Sequence, residues 1–113
     1  MKKIGVIFGT RPEAIKLAPV IRELKKYFEV VVISTGQHRE LLDQIIDDLA
    51  IEIDYDLHVM TKDQTLSSLT IKLHEELSDL FDDEDFDLVV VQGDATTGMV
   101  GALEAFYHKI PVA

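Results

Sequence analysis

The residues best suited to chemistry fall in three short segments of the 113-residue chain. The first is Gly9-Thr10-Arg11-Pro12-Glu13-Ala14-Ile15-Lys16. Gly9 has no Cβ and permits close backbone approach, and Pro12 suits the first turn of a helix, where its missing N–H costs nothing. A helix starting there aims free N–H groups and the positive end of its dipole at whatever precedes it, which favours a phosphate or carboxylate. Arg11 stands before a proline, so its backbone is biased to be extended, and its planar guanidinium matches two phosphate oxygens at once. Lys16, one turn on, supplies a second cation; the competing reading is a surface pair between Glu13 and Lys16, worth only about 0.2–0.5 kcal/mol.

The second segment is Gln92-Gly93-Asp94-Ala95-Thr96-Thr97. Asp94 is a candidate general acid or base, and equally a cap for a helix over residues 96–107. The third, Thr35-Gly36-Gln37-His38-Arg39, offers His38, although a lone histidine before a helix more often caps or hydrogen-bonds than catalyses. His58, His74 and His108 have no carboxylate or histidine at ligand spacing and read as structural or exposed. No metal site is expected.

Three elements must position these segments. Residues 4–8, 30–33 and 88–91 are short apolar runs rich in Val and Ile, as in parallel strands covered on both faces. Ile53, Tyr55 and Leu57 alternate with Asp54, Asp56 and His58, the pattern of an edge strand. Between them the apolar spacing turns helical: Ala14, Leu17, Ala18, Ile21, Leu24; Leu41, Leu42, Ile45, Ile46, Leu49; Leu66, Leu69, Leu73, Leu77, Leu80; and Val100, Leu103, Phe106. Alternating strands and helices with short links predict an α/β fold, a doubly wound parallel sheet of Rossmann-like type, in the order 3-2-1-4-5. Ligands of such sheets bind beyond the carboxyl ends of the strands where the order reverses, here between strands 1 and 4. Residues 110–113 read as a fifth strand cut short, so residues 1–113 are expected to form a single truncated domain of a longer protein.

Composition narrows the functions. Eleven Lys and Arg against 21 Asp and Glu give a net charge of −10, with 47% hydrophobic and 28% charged residues, a globular balance. That charge argues against non-specific binding to nucleic acid or an anionic membrane. Lys2, Lys3, Arg11, Lys16, Arg22, Lys25 and Lys26 nevertheless gather in residues 1–26, although the last three also suit a helix carboxyl terminus. The acidic run at 82–87 reads as a solvated loop. The absence of cysteine removes disulfides and thiolate zinc sites and fits a cytoplasmic protein. The apolar run at 4–8 is broken by Arg11 and Glu13 too soon for a signal or membrane segment. The first loop is neither G-x-G-x-x-G nor a Walker loop, and Ser34-Thr35-Gly36 offers no acid for a ribose, so a nicotinamide enzyme is not expected.

The motifs Phe8-Gly9-Thr10-Arg11-Pro12-Glu13-Ala14-Ile15-Lys16, Gln37-His38-Arg39, Leu42-Asp43-Gln44, Asp54-Tyr55-Asp56-Leu57, Gln64-Thr65-Leu66, Gly93-Asp94 and Ala105-Phe106-Tyr107 closely resemble the non-hydrolysing UDP-N-acetylglucosamine 2-epimerases. The resemblance runs the length of the chain but covers only about the first third of that family. It implies the amino-terminal half of a two-domain fold of the glycosyltransferase-B type, with the carboxyl-terminal domain absent from these residues. It further implies interconversion of UDP-GlcNAc and UDP-ManNAc by elimination and re-addition of UDP, with no metal or nicotinamide cofactor, in a homodimeric full-length enzyme. Arg11 and Lys16 are then implied contacts to UDP and Asp94 the active-site carboxylate, with Gly9, Thr10 and His38 as further candidates. These 113 residues alone are not expected to turn over substrate. The chain departs from the family at Gln92, Ala95 and Gly98, and at Asp63, where members with a regulatory UDP-GlcNAc site carry Arg. Two rivals are a hydrolysing epimerase that releases ManNAc and UDP, and a non-catalytic α/β binding module.

Overall fold

The computed structural model describes residues 2–36, 46–93 and 96–113. The first apolar run becomes β1 (Lys3–Phe8), buried from Ile4 onward, and the second becomes β2 (Glu29–Ser34). β3 (Tyr55–Asp56) and β4 (Leu88–Val90) complete a parallel sheet in the order β3-β2-β1-β4. Ile4 of β1 pairs with Val30 on one side and Leu88 on the other. Beyond β4, Val89 bridges to Val112 in parallel, with the Val89 N–H donating to Pro111 O and the Ala113 N–H to Val89 O, each at 2.9 Å. The last residues thus begin a fifth strand where the order 3-2-1-4-5 requires it.

Because strand side chains alternate, the sheet feeds two cores. Ile7, Val31, Ile33 and Val89 pack with Leu69, Leu73, Leu77 and Leu80 of α2 (Leu66–Asp83) and Val100 of α3 (Thr96–Tyr107). Ile4, Val6, Phe8 and Val32 pack with Ala14, Leu17 and Ile21 of α1 (Arg11–Leu24). The sheet is therefore doubly wound. Of the helix expected around 41–49, residues 46–49 are helical and 41–45 lie outside the described residues.

Two stripe residues turn outward, contrary to expectation. Leu66 is 73% exposed, because it opens α2 before the buried stripe begins; Phe106 is 72% exposed. The inward face of α3 runs instead through Thr97, Val100, Gly101, Glu104 and Ala105. Small residues set that face: a Cβ on Gly101 would stand 3.1 Å from Val91 and 3.3 Å from Ile7, so the helix lies too close to the sheet for larger side chains. Apolar spacing follows large residues and misreads a helix packed through small ones.

The acidic run is also more than a solvated loop. α2 continues through Asp83, Phe86 is buried, and Glu84 accepts hydrogen bonds from Lys3 Nζ at 2.8 Å and Tyr55 OH at 2.7 Å. The Lys3 bond first, and the Tyr55 bond second, hold the Glu84 carboxyl below the ordinary value of 4.5, and the same carboxylate raises Lys3 and Tyr55. A depressed carboxyl stabilises the fold above its unfolded pKa, and that contribution disappears as pH falls through its folded one. The Tm of the chain is therefore expected to decline as pH falls below the ordinary carboxyl value of 4.5, and the Tm difference between wild type and Glu84→Gln to narrow as pH is lowered further. Circular dichroism melts across that range measure it; a difference that stays constant would exclude this network as the source.

His74 and His108 are structural, as expected, but they do meet carboxylates. His74 Nδ1 and Oε1 of buried Glu104 hydrogen-bond at 3.1 Å, and His108 Nε2 pairs with Asp82 at 3.0 Å. Packing of α2 against α3 supplies those partners from distant positions in the sequence.

Candidate functional site

β1 ends at Phe8 and α1 begins at Arg11, so Gly9 and Thr10 form the whole connection at the carboxyl edge of the sheet. Both are buried, and Thr10 is extended (φ −126°, ψ 161°) as the residue that caps α1. Three positions into the helix, Glu13 turns back: its Oε1 accepts the N–H of Gly9 at 2.8 Å and of Thr10 at 3.2 Å. Glu13 is only 4% exposed. It is therefore no surface partner for Lys16, and two amides of a turn expected to offer free N–H groups are already satisfied by the chain's own carboxylate. The T-x-x-E signature of a capping box was the signal for this contact in the sequence.

What the turn offers an anion is chiefly its cations. Arg11 and Lys16 are both exposed, and neither makes an ion pair among the described residues. The second turn abuts the first: Gly93, with φ +84°, lies so close to Glu13 that a Cβ there would stand 3.7 Å from Oε2. A positive φ of this size suits glycine and strains other residues. The start of α3 presses on the same turn, since a Cβ on Gly98 would meet Gln92 O at 3.2 Å and Gly93 O at 3.3 Å. Gly98, a departure from the family pattern, thus has a packing role here. Thr35 Oγ1 and Thr97 Oγ1, both fully buried, hydrogen-bond at 3.0 Å and tie the end of β2 to α3. No local pattern announces a pair 62 residues apart.

The structure thus brings Gly9, Thr10, Arg11, Glu13 and Gly93 to the carboxyl ends of β1 and β4, where the strand order reverses. Lys16 lies further along α1, exposed. Asp94 and His38 lie outside the described residues. Among the described residues, no group of three or more His, Cys, Asp or Glu gathers as a metal cage, and no helix is long and apolar enough to cross a membrane.

An open parallel sheet with a cation-bearing turn at its switch point defines the class, a Rossmann-like α/β domain. The chain belongs to the UDP-N-acetylglucosamine 2-epimerase family, whose model matches residues 22–113. A UDP-N-acetylglucosamine 2-epimerase of Bacillus subtilis is 50% identical over 116 residues, covering 99% of this chain and 30% of that protein. Among solved structures, the UDP-GlcNAc 2-epimerase of Neisseria meningitidis bound to UDP-GlcNAc superposes with a TM-score of 0.91 at 47% identity, over 97% of this chain and 30% of that one. The Methanocaldococcus jannaschii UDP-GlcNAc 2-epimerase in complex with UDP-GlcNAc and UDP gives 0.92 at 37% identity, over 98% and 31%. The chain therefore spans about 30% of the length of the relatives it matches.

Proposed function

We propose that this chain is the amino-terminal part of a cytoplasmic, homodimeric enzyme of glycosyltransferase-B architecture that interconverts UDP-GlcNAc and UDP-ManNAc. The observation that carries the reading is the exposed Arg11, without an ion pair among the described residues, at the switch point of a chain in this family. In the reaction, a base removes the C2 proton while the C1–O bond to UDP breaks, giving a 2-acetamidoglucal; UDP then adds back to C1 as a proton returns to the other face of C2. The developing negative charge on the diphosphate is met by Arg11, with Lys16 as the second cation, and fixed charges of this kind act most strongly where water is excluded. Asp94, following Gly93, is the proton-transferring carboxylate. UDP-sugar is the partner; the further candidates Gly9 and Thr10, whose amides Glu13 Oε1 occupies, shape the turn that carries Arg11.

The full-length enzyme should convert UDP-GlcNAc to UDP-ManNAc in a reaction followed by NMR. Free ManNAc and UDP as the end products would instead make it a hydrolysing epimerase, and absence of any turnover would favour a binding module. In the same assay Arg11→Ala should raise KM for UDP-GlcNAc by about 10- to 100-fold, the range for one hydrogen-bonded charge contact. An unchanged KM would remove Arg11 from the site.

A further inference from the structure

Glu13 holds a carboxylate oxygen for which the described residues provide no donor. Oε1 is fully used by the Gly9 and Thr10 amides at 2.8 and 3.2 Å. Oε2 is buried and has no hydrogen-bond partner among the described residues. Buried polar atoms are nearly always satisfied, so an open one marks a place where a donor is missing. Oε2 faces the second turn of the site: a Cβ on Gly93 would lie 3.7 Å from it, and glycine puts no side chain there. The open oxygen thus sits between the turn that carries Arg11 and Gly93 at the end of the β4 turn.

An ionised carboxylate can only accept hydrogen bonds. The diphosphate of a nucleotide sugar offers acceptors and negative charge, which suit the exposed Arg11 and Lys16 and oppose Glu13. The hydroxyls of the same ligand offer donors, and a hydroxyl bound to a carboxylate makes a strong, charge-assisted bond. We propose that Glu13 Oε2 accepts a hydrogen bond from a hydroxyl of the bound UDP-sugar, so that Glu13 recognises the ligand's hydroxyl face while Arg11 and Lys16 recognise its charge. This rests on the UDP-sugar reading of the site. Glu13 then has two separate tasks, one for each oxygen: Oε1 shapes the first turn, and Oε2 reads the ligand.

The substitution Glu13→Gln separates those tasks. Its carbonyl oxygen still accepts the Gly9 and Thr10 amides, while its NH2 group replaces Oε2 and turns an acceptor into a donor. Calorimetry on the full-length enzyme with UDP-GlcNAc, UDP and uridine reads the effect. We expect E13Q to bind UDP-GlcNAc about 10-fold or more weakly, with Tm within a few degrees of wild type, because a site built to pair a hydroxyl discriminates strongly when the pairing is lost. UDP binding left unchanged places the hydroxyl on the sugar; loss for UDP and uridine alike places it on the ribose. Equal affinity of E13Q and wild type for all three ligands overturns the inference, as does loss for UDP with uridine unchanged, which would mean a disturbed diphosphate turn. Should E13Q fail to fold, E13D, which keeps the charge but withdraws both oxygens by one methylene, is read by the same criteria. Wild-type enzyme that binds none of the ligands would overturn the functional reading and this inference together, whereas normal binding by wild type and E13Q overturns this inference alone.

Discussion

Asp94→Asn in the full-length enzyme is expected to lower kcat by about 10²- to 10⁴-fold, with KM for UDP-GlcNAc changed little, the range for loss of a general acid or base. Asparagine keeps the size of the side chain and an acceptor oxygen but cannot exchange a proton. It also caps helices as well as aspartate does, so the alternative role of Asp94 at the start of α3 survives the substitution. The Tm of the variant should therefore match wild type within a few degrees. Steady-state kinetics with a parallel melt decide the matter. Unchanged kcat with an unchanged Tm would leave Asp94 only the capping role, which Asn fulfils equally, and place the proton transfer elsewhere.

Leu73→Ala should cost about 2–5 kcal/mol of stability, the range for truncating a fully buried leucine. Leu73 is at 0% exposure, in the middle of the α2 stripe, within the same core as Ile7, Ile33 and Val89 of the sheet and Val100 of α3. Removing its side chain opens a cavity where helix, sheet and second helix meet, and none of the three can move in to fill it without disturbing the others. For a chain of this size such a loss reads as a fall in Tm of about 10 °C or more. Ile71→Ala is the control on the same helix: at 59% exposure its truncation should change stability by no more than about 0.5 kcal/mol. Urea titrations of both variants measure the two values, and similar losses would mean that the stripe is assigned to the wrong face.

Much of the scaffold was legible in the sequence because it is written in local repeats. The double-sided apolar runs at 4–8, 30–33 and 88–91 have no stable place except inside a covered parallel sheet, and the alternation at 53–57 suits only an edge. With right-handed crossovers, these constraints left the order 3-2-1-4-5, which β3-β2-β1-β4 and the bridge from Val89 to Val112 reproduce. The Gly9–Lys16 segment likewise announced its own turn and helix, since Gly9, Thr10 and Pro12 act on the backbone within a few residues. What local spacing could not convey was which side chains of that segment face inward. Glu13 looked like a surface partner for Lys16, although its capping signature was present.

The amino-acid sequence by itself therefore determined the strands, the helices and the loop that bears Arg11, because each depends on residues within one or two helical turns, and the right-handed crossover rule then wound the strands into one sheet. Only the tertiary structure decided that Glu13 is buried against Gly93, that Thr35 meets Thr97, that Glu84 joins Lys3 to Tyr55, and that α3 approaches through Gly101 rather than through Phe106. These contacts join elements far apart in the chain, and hydrogen-bond geometry and close packing select them only after the sheet has brought the elements together.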